Sequence, residues 1–205
     1  MSAARHALAA DLPALAVALA TAFNDDPMIT WVTGESDPER RKAITAPGFF
    51  GPSLAAGLVR GHVYLVPSAG GGSAGAALWA PPDVRVFTEA EGETFGAAMV
   101  EYAGADAMGR IMSIGEMVGS HHPGERSHFY LFIIGTAEQG HGVGGRLLQP
   151  VLTRCDADGL PAYLESSNPR NVSFYERHGF EVLWEDRPTS DGPLFQGMWR
   201  EPRSS

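Results

Sequence analysis

Gln139-Gly140-His141-Gly142-Val143-Gly144-Gly145 stands between a dense β-forming run, His128–Ile134, and an amphipathic helical run from Val143 to about Ala157. Glycines let the backbone turn sharply and approach a ligand with no Cβ in the way. The first turn of the following helix aims unpaired N–H groups, and the positive end of its dipole, at the same spot. Such a junction stabilises an anion, typically a pyrophosphate. A tight strand-to-helix turn with no ligand is the plainer alternative, and four glycines in six residues weigh against it.

Which pyrophosphate is a separate question. Gly140, Gly142 and Gly145 also satisfy the dinucleotide pattern G-x-G-x-x-G, with Glu165 twenty residues on as a ribose-binding acid. That reading implies an NAD(P)-dependent oxidoreductase. Against it, the unit lies late in the chain, leaving too few residues for further parallel strands, and a hairpin-like stretch precedes it. The segment after Glu165 is also left without a role. The Walker pattern fails because Arg146 follows Gly145.

Outward from the turn, Ala162–Glu165 reads as a short strand and Val172–His178 as a short helix. Phe180–Glu185 and Leu194–Trp199 read as two closing strands. Upstream, His62–Val66 and Ala74–Trp79 form a hairpin around the turn-rich Pro67–Ser73. Helical patterns cover Asp11 to Asn24, with Asp11 as N-cap, an irregular stretch over residues 38–60, and Glu93 to Val118. The order predicts an α+β fold: one domain over residues 1–205, a mixed, mostly antiparallel sheet flanked by helices, and one β-α-β unit.

Composition limits the partners. The chain has 205 residues, 44% hydrophobic and 19% charged, enough for one domain with a real core. No run of eighteen apolar residues implies a membrane span. Asp11 and Pro13 interrupt the apolar N-terminus, which reads as a first helix rather than a leader. A net charge of −9 argues against nucleic acid and anionic membranes and suits a cationic substrate. The single cysteine, Cys155, excludes an internal disulfide and implies a cytoplasmic protein.

These residues resemble the GCN5-related N-acetyltransferase (GNAT) superfamily, whose cofactor signature is Q/R-x-x-G-x-G/A at a strand-to-helix junction. Gln139, Gly142 and Gly144 match it. The stretch Tyr163 to Phe180, with Asn168, Asn171, Tyr175 and a closing Gly179-Phe180, is similar to the superfamily's C-terminal half. The resemblance is strongest over residues 128–182. Phe23 to Pro27 followed by Trp31, then Leu78 to Pro82, resemble the bacterial branch near puromycin N-acetyltransferase.

The resemblance implies an N-acetyltransferase that moves the acetyl group of acetyl-CoA to an amine, by direct attack in a ternary complex. The acceptor is expected to be a small molecule, and the enzyme a monomer or homodimer. A GNAT-fold protein that binds acyl-CoA without turnover, as a sensor, is a further alternative. The segment between strand and Gln139 is about two residues shorter than the branch pattern. Cofactor contacts on the strand therefore centre on Ile134, Gly135 and Thr136, with Phe132 to Ile134 as the alternative register. The resemblance further implies pyrophosphate contacts from Gly140, His141, Gly142, Val143, Gly144 and Gly145, and contacts to the cofactor arm from Asn168 and Asn171.

Tyr175 would then protonate the departing thiolate. Candidate proton acceptors are Glu165, Asp25, Asp26 and Glu116, with Glu165 preferred for its place at the strand–helix junction. Asp26, Trp31 and Trp79 are candidate substrate-pocket residues, and Tyr64 stands with the two tryptophans as a cation–π candidate. His121, His122 and His128 form no expected metal site, because adjacent histidines cannot face one ion as helix neighbours do. Cys155 is read as a small buried hydrophobe rather than an acyl carrier.

Overall fold

Alternating apolar residues in the middle of the chain build a seven-stranded sheet, seen in a computed structural model describing residues 2–60, 62–124, 126–137 and 141–203. The strands are β1 (Arg5–His6), β2 (Val63–Pro67), β3 (Ser73–Ala80), β4 (Phe129–Thr136), β5 (Ala162–Ser166), β6 (Glu181–Asp186) and β7 (Phe195–Arg200). Their order is β1-β2-β3-β4-β5-β7-β6. Only β4 and β5 are parallel, joined through helix α7 (Val143–Asp158). This is the mixed, mostly antiparallel α+β architecture expected. It lacks the parallel array a dinucleotide fold requires.

Two apolar clusters cover the sheet. One holds Leu15 and Leu19 of α1 (Leu12–Ala22), Phe50, Leu54 of α4 (Gly51–Val59), Phe95 and Met99 of α5 (Glu89–Ala103), and Ile133. The other sets Leu147, Leu148 and Val151 of α7 against Trp79, Leu131 and Leu164. Removing each large side chain from water stabilises the fold by about 1.5–3 kcal/mol.

The structure departs from the sequence reading in several places. Residues 93–118 are not one helix: α5 ends at Gly104 (φ +87°), and α6 (Ala105–His121) starts afresh. Glycine tolerates that conformation, which other residues rarely adopt. The true start of α5 is a capping box in which Thr88 Oγ1 accepts the Glu91 N–H and Glu91 accepts the Thr88 N–H. Asp11 does not cap α1: its carboxylate accepts the Leu8 N–H at 2.8 Å and pairs with Arg5. β1 was not foreseen. Neither was α2 (Pro27–Thr33), where Asp26 is N-cap and Pro27 occupies the first turn. The irregular stretch 38–60 is α3 (Pro38–Thr45), a π-helical turn over Ala46–Phe50, and α4.

Candidate active site

Strand register creates an opening. Phe129, Tyr130 and Leu131 pair with Ala162, Tyr163 and Leu164, and the parallel ladder ends there. Beyond it β4 continues along β3, while Glu165 and Ser166 follow β7. Opposite β3, Leu78 pairs with Ile133 and Trp79 with Leu131, so Phe132 is an extra residue. Such a bulge bends the strand and interrupts its ladder. It also reverses the alternation: Leu131 and Ile134 pack toward α7, while Phe132 and Ile133 pack toward the α1 side. β4 and β5 therefore part at Phe132, leaving backbone groups without partners across the gap.

A cavity of about 430 Å³ occupies the gap. Residues of both clusters line it, including Phe95 and Ile133 from one and Ile134 and Tyr175 from the other. Asp26 and Glu165 are the charged residues among the described lining. Asp26 is 7% exposed, and its Oδ1 accepts both the Met28 N–H and the Ser167 hydroxyl at 2.9 Å. Burial raises the Asp26 carboxyl above the usual range despite these bonds. Tyr175, on α8 (Val172–Glu176), has its phenol raised by burial and, less, by the Asp26 charge.

Glu165 receives the Tyr130 hydroxyl on Oε2 at 2.5 Å. Its Oε1 is buried without a hydrogen bond; the nearest partner, His122 Nδ1, stands 3.5 Å away. The histidine network decides what that approach means. Only an N–H can meet the Arg126 carbonyl, so His128 Nδ1 donates to it at 2.7 Å. Burial holds His128 below its ordinary pKa, so it is neutral and its Nε2 is an acceptor. His122 Nε2, 3.3 Å away, must then donate to it. His122 Nδ1 is then the atom that faces Glu165 Oε1. The Glu165 side chain is 5% exposed and that of His122 33%, so His122 connects the buried carboxylate to solvent.

The rest of the lining is largely apolar. Met108, Ile111, Met112, Gly115 and Val118, all on one face of α6, oppose Phe87, Phe95 and Phe132. The Phe87 ring meets Phe132 edge-on at 5.6 Å.

On the α7 side, Gly142 adopts φ +65° as the residue before that helix, a conformation glycine supplies without strain. A Cβ on Gly144 would lie 2.8 Å from the Phe174 ring, so this glycine lets α7 and α8 approach closely. Gly142 and Gly145 border a second groove with Arg146, Arg177, His178 and Arg203. Arg146 Nε is buried there without a partner. In a chain of net charge −9 this is a cationic surface, suited to phosphate.

Of the residues singled out by sequence, Ile134, Glu165, Asn171, Tyr175 and Asp26 come together around the cavity. Gln139 and Gly140 lie outside the described residues. His141, Gly142, Gly144 and Gly145 lie at the glycine turn, whereas Val143 is buried in the core beneath α7. Thr136 pairs with Gly75, and Asn168 Oδ1 accepts the Arg170 N–H instead of facing the cavity. Gly135 meets α1: a Cβ there would lie 2.8 Å from Leu19 and Phe23.

Trp79 and Trp31 do not form the pocket. Trp79 is 1% exposed in the core against α7, because its place on β3 faces away from the cavity. Trp31 donates to Asp191 at 3.2 Å beneath the Arg110 guanidinium. Tyr64 likewise packs on the α7 side and against His6. Cys155 is fully buried, its thiol pushed up to about 12, which leaves no reactive thiolate. Among the described residues, no cluster of three metal-ligating side chains occurs. Sequence reasoning missed Tyr130, Ser167, the α6 face and the Glu165–His122 approach. Only the α6 face left a signal, an apolar repeat at residues 108, 111, 112, 115 and 118.

A splayed parallel pair, a glycine turn before α7 and converging acids and a phenol define an acyl-transfer enzyme. The profile of the acetyltransferase (GNAT) domain matches residues 82–201, more than half of the chain, which therefore belongs to the GNAT acetyltransferase family. A curated relative, an uncharacterized N-acetyltransferase of Schizosaccharomyces pombe, is 28% identical over 98% of this chain and 84% of its own length. Among solved structures, a histone acetyltransferase HPA2 and related acetyltransferase from Corynebacterium glutamicum superposes with TM-score 0.69 at 24% identity, over 100% of this chain and 99% of that one. The Drosophila melanogaster polyamine N-acetyltransferase superposes with TM-score 0.65 at 14% identity, over 97% and 98%. These likenesses extend the fold agreement to the whole chain.

Proposed function

We propose that this chain transfers the acetyl group of acetyl-CoA to the amine of a small molecule by direct attack within a ternary complex. The observation that carries the reading is the parting of β4 and β5 at Phe132, which opens onto the cavity shared by Tyr175, Asp26 and Glu165. On its β5 side the backbone of Phe132–Ile134 has no strand partner, which favours the alternative register for the amide-rich pantetheine arm. The groove at Gly142, Gly145, Arg146 and Arg177 supports the phosphates. Arg146 Nε, buried and unpartnered, fits an anion. A bound thioester supplies an activated acyl carbon and a thiol leaving group.

The residues then divide the work. A free β4 N–H polarises the acyl carbonyl in the manner of an oxyanion hole. An alkylamine of pKa about 10.4 is only about one part in a thousand free base at neutral pH, so a proton must leave. Glu165 accepts it and His122 carries it to solvent. Asp26 presents negative charge to the amine. Tyr175 remains a phenol at neutral pH, donates to the sulfur as it departs and is reprotonated by the second proton that the acylated nitrogen loses. The segments Phe23–Pro27 and Leu78–Pro82 support kinship with the puromycin N-acetyltransferase branch. A single cysteine, fully buried, suits a cytoplasmic enzyme, monomeric or homodimeric.

Thermal melts with acetyl-CoA, and separately with NAD and NADP, test the cofactor. A ligand at about one hundred times its Kd stabilises the native state by roughly 2.7 kcal/mol. Acetyl-CoA alone is expected to raise Tm, and amines to release free thiol. Binding without thiol release across a broad amine panel would favour the acyl-CoA sensor.

A further inference from the structure

The geometry points to one acceptor class, resting on the acetyl-transfer reading above: a monoamine whose single cationic head is joined to a bulky apolar body, aryl or branched alkyl. The cavity combines two carboxylates with a largely apolar lining. Asp26 and Glu165 sit at the strand gap, and no Lys or Arg is among its described lining residues. An ammonium head is matched there, whereas an amino acid's carboxylate would meet two acids and no cation. The rest of the lining offers side chains of Met108, Ile111, Phe87 and Phe95. A second ammonium, as in a di- or polyamine, would lie against that apolar lining without a counter-charge. An aminosugar would leave its hydroxyls unpaired there.

Two helix-interior glycines add to the room. Gly92 of α5 and Gly115 of α6 both line the cavity, and a Cβ at either would meet nothing within 4 Å. Glycine is unfavourable inside a helix, and no close packing or positive φ requires it at these two positions. What its absence of a side chain provides is volume. The resulting space, about 430 Å³, lies in the range that encloses a drug-sized ligand.

The test measures kcat/KM by thiol release for ethylamine, 2-phenylethylamine, tryptamine, putrescine, spermidine and glycine. 2-Phenylethylamine or tryptamine is expected to exceed ethylamine by about tenfold or more, since each methylene's worth of apolar contact discriminates by about that factor. Putrescine, spermidine and glycine should fall below it. Gly115→Leu is expected to lower the ratio of 2-phenylethylamine to ethylamine at least tenfold, and to raise Tm through better helix propensity. Gly92→Leu, on the other helix, should lower the same ratio. Preference for a polyamine or amino acid, or ratios unchanged in both variants, would overturn this acceptor class and leave acetyl transfer standing. No Tm shift with acetyl-CoA, or binding with no amine accepted, would remove acetyl transfer and this inference with it.

Discussion

The Ser167 hydroxyl donates to Asp26 Oδ1 at 2.9 Å, joining residues 141 positions apart. Ser167 follows β5 and Asp26 opens α2, so the bond ties the N-terminal helices to the C-terminal β-α-β half across the cavity. The same oxygen caps α2 through Met28. One buried carboxylate thus serves a helix, an inter-segment link and the wall facing Tyr175.

Asp26→Asn should separate those roles. The amide oxygen can still accept from Met28 and Ser167, but the charge is gone. Because burial raises the folded-state pKa of Asp26, the native state binds more protons than the unfolded chain between the two pKa values. Stability therefore falls as pH rises through that window, and the penalty persists at neutral pH. The variant is expected to melt higher than wild type at pH 7, with the difference vanishing as pH drops below about 4, near the unfolded Asp pKa. Its kcat/KM for amines should fall. Equal melting differences at pH 7 and pH 3.5 would contradict the buried-charge account.

Tyr175→Phe should lower kcat while leaving acetyl-CoA affinity nearly unchanged, because it removes a proton donor and keeps the ring in the core. Loss of a general acid typically costs about 10²–10⁴-fold. The raised phenol keeps wild-type Tyr175 protonated across the neutral range, so its ionisation should not limit activity below about pH 9. Wild-type turnover in the variant would exclude Tyr175 from proton transfer.

The glycine turn, β4, α7 and the Tyr175 helix were legible because each announces itself locally, through period-2 or period-3.6 apolar spacing and glycine placement. The break at Gly104 was not, since glycines at 96, 104, 109 and 115 look alike in sequence and only Gly104 takes φ +87°. Nor were the roles of Trp31 and Trp79: an aromatic on a strand faces either the cavity or the far core, and β3 register sent Trp79 to the core. The bulge at Phe132, on which the proposed cofactor register rests, depends on how β4 meets β3, a pairing no local pattern encodes. Ser167–Asp26 and His122–Glu165 are tertiary pairs of the same kind.

Gly135 tests the packing account of a residue first read as a cofactor contact. Its missing Cβ makes room for Leu19, Ala22 and Phe23 of the α1 segment, so Gly135→Ala must push that helix off β4. Overpacking of this kind costs about 1–3 kcal/mol. Denaturant melts should show that loss. Gly70→Ala, in an exposed turn with no neighbour within 4 Å and no positive φ, should be close to neutral. Equal stability for both variants would return Gly135 to a ligand-facing role.

His122 offers the sharpest test of proton exit. Its Nε2 lies 3.3 Å from His128 Nε2 and its Nδ1 3.5 Å from Glu165 Oε1, the geometry the proposed exit route needs. Gln in its place keeps a donor for His128 and cannot relay a proton. His122→Gln is expected to reduce kcat about tenfold or more, with the acetyl-CoA melt shift retained and KM for the amine changed less than kcat. Added imidazole, or a higher concentration of a small buffer base, should restore part of the rate, because an external carrier replaces the missing one. A purely structural role would show lost Tm and no rescue. Rescue with an intact melt would place the exit route at His122, whichever acid first takes the proton.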